Sequence, residues 1–118
     1  EYLKTIAGSL SSKIYEADSE QRKYLHLAAV FACNFVNHLY ALSADLLGKC
    51  NLPFELLLPL IDETARKIHE LPPEYAQTGP AIRYDKNIMD KHLGMLADQP
   101  EVQKIYRILS ENIHKNVY

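Results

Sequence analysis

Glycine and cysteine are scarce in this chain of 118 residues, and their spacing excludes several kinds of site. The four glycines, at positions 8, 48, 79 and 94, lie too far apart to form a phosphate-binding loop. Cys33 and Cys50 lack the neighbours that a zinc knuckle or a disulfide framework needs. The sequence therefore predicts no nucleotide site in this chain and no metal site. It favours a reducing, cytoplasmic location.

An excess of charge of one sign is also lacking, with 13 Lys and Arg against 15 Asp and Glu and a net charge of −2. No basic block indicates a nucleic-acid partner. No uninterrupted apolar run approaches the roughly 18 residues of a membrane span, and no secretory signal is visible. No serine has the setting of a nucleophile elbow, and the five histidines lack ligand-like spacing. This pattern argues against an independent hydrolase or metalloenzyme and against a membrane partner.

What the chain does contain is one very long helix, predicted from residue 18 to about residue 49. Asp18 and Gln21 have the spacing of a capping box, which starts a helix. From His26 to Tyr40 the sequence is apolar nearly all round. A helix of that kind must be buried by other protein.

A narrow polar strip interrupts this apolar surface. At about 100° per residue, His26, Asn34 and Asn37 fall along one strip, with Cys33 between them and His38 at its edge. The strip is either the polar wall of a substrate cleft or a set of buried groups that satisfy neighbouring backbones. Cys33 has no adjacent base, so a small core residue is favoured over a nucleophile.

Further helices are predicted at 2–11, 54–68, 86–97 and 100–114, with a single strand at 13–16. Pro59 should kink the second of these helices or mark a restart. A lone strand has nothing to pair with, which indicates that further sequence precedes the chain. The fold predicted is all-α, a helical bundle around one very long central helix.

The loop predicted at 72–84 contains a second group of candidates. Thr78 and Gly79 offer a hydroxyl and backbone amides, and Arg83 offers a planar donor fork for a carboxylate or phosphate. The alternative is a simple turn in which Arg83 pairs with Asp85 or Asp90. His92 follows on the next helix, where a solvated or helix-capping role is favoured.

These residues together resemble a known family. The segments that match are His26-Leu-Ala-Ala-Val30, Asn34-Phe-Val-Asn37, Leu56-Leu-Leu-Pro59-Leu60, Thr78-Gly-Pro-Ala-Ile-Arg83-Tyr-Asp85 and His92-Leu93. In this order they resemble the helical C-terminal domain of an uncharacterised bacterial family, described as NADP-dependent oxidoreductase-like. That resemblance covers roughly residues 19 to 110.

The resemblance implies a fold like the C-terminal domain of 6-phosphogluconate dehydrogenase, which forms the dimer contact and one wall of the substrate cleft. It implies that NADP binds to a preceding Rossmann domain. Residues 1–18 would then be the last helix and strand of that domain, and residues 19–118 the helical domain. In the β-hydroxyacid dehydrogenase relatives, a catalytic Lys lies four residues before an Asn on the long helix. In this chain Val30 lies four residues before Asn34. His26 is the candidate acid–base group in its place.

Two functions remain open. The first is a dimerising, substrate-side domain of an NADP-dependent oxidoreductase-like protein that binds a small anionic metabolite through Asn34, Asn37, Thr78, Gly79 and Arg83. The second is a helical association module without a catalytic role. In the first case, this chain alone should not bind NADP.

Overall fold

The computed structural model describes residues 18–116, and every regular element in that range is helical. The helices are α1 (Ser19–Gly48), α2 (Leu58–Glu70), α3 (Pro73–Ala76), α4 (Lys86–Met95) and α5 (Pro100–Lys115). The all-helical prediction is confirmed, and the described range contains no strand. The helix predicted at 2–11 and the strand predicted at 13–16 lie outside the described residues.

The capping box predicted at the start of α1 is present. The Asp18 carboxylate accepts a hydrogen bond from the Gln21 backbone N–H at 2.7 Å, and the Gln21 side chain accepts one from the Asp18 N–H at 2.9 Å. These two bonds satisfy donors that a helix N-terminus leaves unpaired. From this start α1 runs for 30 residues, or about 45 Å.

The middle of α1 is not a regular α-helix. Val30–Phe35 is a π-helical segment between the α-helical halves Ser19–Ala29 and Val36–Gly48. A π segment bonds each residue to the fifth along the chain, so it inserts one extra residue into a turn. Compared with an unbroken α-helix, the side chains after the π segment are therefore rotated about the helix axis by roughly 100° relative to the side chains before it.

The apolar surface of α1 is largely exposed in the single chain. Tyr24 is 65% exposed, Phe31 61% and Phe35 50%, and Ala29 is the helix's one buried residue. Phe31 and Phe35 meet edge to face at 5.0 Å. These three rings alone expose on the order of 350 Å² of ring surface. An exposed apolar area of that size is comparable to the largest apolar patch on a typical monomeric protein.

By length and composition, α1 is apolar enough to cross a membrane. The expectation of no membrane span rested on uninterrupted apolar runs, which residues such as Asn34 and Asn37 break. Averaged over 18 residues, the helix is apolar despite those interruptions. Core helices of soluble proteins and signal sequences share this length and composition.

The chain divides into two compact units, residues 1–53 and 54–118. In the second unit, a 3-10 turn at Phe54–Leu57 leads into α2, with Pro59 in the first helical turn. Pro59 therefore marks a restart rather than a kink, because a proline at that position gives up no helical hydrogen bond. The loop predicted at 72–84 contains the one-turn helix α3, also opened by a proline.

Helices α4 and α5 form an antiparallel hairpin joined by residues 96–99. Gln103 Nε2 donates to the Leu93 carbonyl at 2.8 Å, and Leu96, in the connecting turn, is only 5% exposed. The Asp85 carboxylate accepts from the Ile88 N–H at 3.4 Å and caps α4, as predicted. The hairpin thus fixes the helix that follows the Thr78–Arg83 loop.

Candidate functional site

The Thr78–Arg83 loop is shaped by two backbone turns. Gly79 has φ +102°, a left-handed conformation that suits glycine. The Asp85 N–H donates to the Pro80 carbonyl at 2.8 Å and the Tyr84 N–H to the Ala81 carbonyl at 3.1 Å. Ala81, at the centre of the turn, is buried, whereas Thr78 and Arg83 on either side of it are exposed.

Arg83 lies exposed on this turn. Its guanidinium makes no hydrogen bond or ion pair with any described residue, so the alternative in which it pairs with Asp85 or Asp90 is wrong. The guanidinium is planar and carries five N–H donors, none of which has an acceptor among the described residues. It is therefore available to an external carboxylate or phosphate. Thr78 is also exposed, and Gly79 is half-buried.

On α1, the π segment changes which polar residues lie together. Asn34 and Asn37 line one shallow cavity of 420 Å³, together with Cys33 and Tyr40. His26 is not among the described residues that line it. Uniform α-helical spacing had placed His26 on the same strip, but the extra residue in the π turn rotates Asn37 away from the line through His26.

Four polar side chains of α1 are not used for internal hydrogen bonds within the described range. His26, Asn34, Asn37 and His38 are exposed and have no hydrogen-bond partner there. Cys33 is likewise exposed rather than a core residue. Side-chain amides and imidazoles left open on an otherwise apolar helix are available to a ligand or to another protein surface. π segments within α-helices occur frequently at functional sites.

His92 has a different role from the solvated or capping one expected. Its Nδ1 lies 2.8 Å from the Tyr106 hydroxyl, and the two rings meet edge to face at 5.6 Å. This contact joins α4 to α5 across 14 residues of sequence. Burial raises the pKa of Tyr106, and a hydrogen bond from Ser110 partly opposes that rise.

A second ring contact joins the Arg83 turn to the hairpin. Tyr84, next to Arg83, stacks on His114 with ring centroids 4.2 Å apart. Tyr84 has φ +50°, in the left-handed region that an aromatic residue rarely adopts. Sequence reasoning missed both tyrosine–histidine pairs, since neither a 14-residue nor a 30-residue spacing is a recognisable motif. The described residues contain no group of three or more His, Cys, Asp or Glu that could hold a metal ion.

Comparison with known proteins places the chain in a family. Residues 1–113 match a family model described as a domain of unknown function, DUF2520. The chain is also similar to the crystal structure of putative NADP oxidoreductase BF3122 from Bacteroides fragilis, with 68% sequence identity and a TM-score of 0.83. That match covers 85% of this chain but only 39% of the other chain.

No protein in the curated set matches the chain. The name of the solved relative agrees with the resemblance to NADP-dependent oxidoreductase-like proteins that the sequence motifs indicate. The match to the family model extends over nearly the whole chain. This chain belongs to the DUF2520 family.

Proposed function

We propose that this chain is the dimerising, substrate-side helical domain of an NADP-dependent oxidoreductase-like protein. The observation that carries the proposal is its 68% identity to a protein named as a putative NADP oxidoreductase. Since the match spans 39% of that protein, most of such a protein lies outside the matched region. In this proposal the nucleotide-binding domain belongs to that remainder and precedes the chain.

We expect the described residues to bind no dinucleotide by themselves. They supply no strand, and their three glycines stand well apart in sequence. A Rossmann site needs a strand, a glycine-rich turn and a helix N-terminus in succession. NADP would supply the hydride chemistry from the other domain, and this chain would contribute one wall of the substrate cleft.

The unpaired polar groups support a substrate-binding role. Arg83 would bind the anionic group of a small metabolite, with Thr78 and Gly79 as neighbouring donors. Asn34 and Asn37, on their shared cavity, would orient the substrate. His26 would be the acid–base group, since imidazole is the side chain that most often serves as a general acid or base. The alternative function, a helical association module, would need none of these side chains to be free.

Calorimetry with NADPH tests whether the nucleotide binds outside this chain. The full-length protein should bind NADPH with a micromolar Kd, and the isolated chain of 118 residues should not. Micromolar binding by the isolated chain would contradict the proposal. If the full-length protein failed to bind NADPH, the association module would be favoured instead.

Arg83→Ala tests the substrate side. The probe is a panel of small hydroxy acids and oxo acids, titrated into the full-length protein with NADP present. The change should weaken binding by about 1.5–3 kcal/mol, the range for a hydrogen bond to a charged group. Arg83→Lys should restore part of this loss, since it keeps the charge without the fork. Arg22→Ala, which removes an exposed arginine from α1, is the matched control. Normal binding by Arg83→Ala would overturn the assignment.

A further inference from the structure

The α4–α5 hairpin contains a cleft that the proposed function does not use. Its volume is 460 Å³, within the range of about 300–1,000 Å³ typical of small-molecule sites. All of its lining residues belong to the second unit, and Arg83 is not one of them. Met89 and Leu93 give it an apolar wall, and the Tyr106 hydroxyl gives it a polar group that is oriented by His92.

The charges in the cleft are unbalanced and unpaired. Three cations line it, Lys86, Arg107 and Lys115, against two carboxylates, Asp90 and Glu111. The cleft is therefore net positive, although the chain as a whole has a net charge of −2. None of the five side chains forms an ion pair or hydrogen bond with another described residue. The cations are thus available to a ligand, and the net sign favours an anion.

One end of the cleft is formed by the Tyr84–His114 ring stack. Tyr84 is 54% exposed, which leaves ring surface open beside Lys86 and Lys115. A non-glycine residue in the left-handed region is strained, and such residues cluster at ligand clamps. The strained backbone of Tyr84 and its stacking partner both position this ring at the cleft.

We propose that this cleft binds a small anion carried on a planar ring, such as an aryl phosphate or an aromatic carboxylate. The ring of the ligand extends the Tyr84–His114 stack, and its anionic group is bound by Lys86 and Lys115. Met89 and Leu93 contact the apolar edge of the ring.

The test uses the full-length protein and three probes: phenyl phosphate, inorganic phosphate and phenol. In an NMR titration, phenyl phosphate should shift the amide signals of Tyr84, Lys86 and His114 saturably. Phosphate alone and phenol alone should each bind at least about tenfold more weakly than phenyl phosphate, because each lacks one of the two contacts. Equal binding of phenyl phosphate and phenol, or shifts confined to the exposed rings of α1, would overturn the proposal.

Two variants separate the charge from the ring. Lys86→Ala combined with Lys115→Ala should weaken the binding of phenyl phosphate about tenfold or more. Lys104→Ala, on the same helix as Lys115 but outside the cleft, should leave that binding unchanged. Tyr84→Gly removes the ring and suits the left-handed backbone, so the fold is retained. It should weaken phenyl phosphate but not inorganic phosphate. Absence of saturable binding in the unaltered protein would show that the cleft is not a ligand site.

Discussion

Helix α1 and the α4–α5 hairpin use their polar side chains in opposite ways. In the hairpin, His92, Tyr106 and Gln103 bond across the two helices and so fix their register. On α1, Asn34 and Asn37 are exposed and bond to no described residue. The apolar rings of α1 are exposed as well. The hairpin therefore has cross-helix contacts of its own, whereas α1 presents polar and apolar groups that are exposed in the single chain.

The difference separates polar residues that bond within the fold from polar residues that have no partner among the described residues. A buried or half-buried hydrogen bond between two helices stabilises the fold. An exposed polar group without a partner contributes little to the stability of the chain itself. Substitutions of the exposed rings of α1 and of the bonded side chains of the hairpin test this difference.

The largest effect is expected from Phe31→Asp. We expect a symmetric dimer in which the exposed rings of α1 are buried, and burying an aspartate there would be strongly unfavourable. Sedimentation at micromolar concentration should show the mass of the 118-residue chain falling from near twice 13.5 kDa to near 13.5 kDa. Tyr75→Asp, at a similarly exposed tyrosine on α3, should leave the dimer intact. A monomer before the change would contradict the expected interface.

A smaller effect is expected from Asp18→Ala, which removes the capping box of α1. The loss should be about 1 kcal/mol in the free energy of unfolding, measured by urea denaturation, because one N-terminal donor loses its acceptor. Asp18→Asn keeps a side-chain acceptor and should cost much less. Equal losses in the two variants would show that charge, rather than the hydrogen bond, stabilises this helix start.

Tyr106→Phe tests the hairpin and should cost about 1 kcal/mol, since it removes the hydroxyl that lies against His92. Tyr75→Phe, which changes an exposed tyrosine, should have no measurable effect on the urea midpoint. Were the two changes equivalent, the His92–Tyr106 contact would not contribute to stability.

The pH dependence of stability gives the smallest signal. Because burial raises the pKa of Tyr106 above its ordinary value of 10.0, the unfolded chain ionises first as the pH increases. The stabilisation is fully present below pH 10.0 and is lost as the pH rises from there through the folded pKa. Tyr106→Phe should flatten this alkaline decline of the urea midpoint. A decline unchanged by the substitution would point to another titrating group.

Local signals in the sequence were sufficient for the helices. The Asp18–Gln21 capping box, the Asp85 cap and the first-turn Pro100 placed three helix starts correctly, because each satisfies or omits a backbone donor within its own turn. The one-turn helix α3 was missed, since a single turn between prolines has no periodicity. The Thr78–Arg83 loop was recognised as a candidate from its residue types alone.

The all-helical class and the long α1 could be predicted from the sequence, because they follow from periodicity and backbone capping. The π turn of α1, the absence of a described partner for Arg83 and the bond between His92 and Tyr106 became visible only in the folded chain. The π turn rotates side chains by an amount that uniform spacing cannot reveal. The pairing of residues distant in sequence depends on how helices pack, which no local pattern encodes.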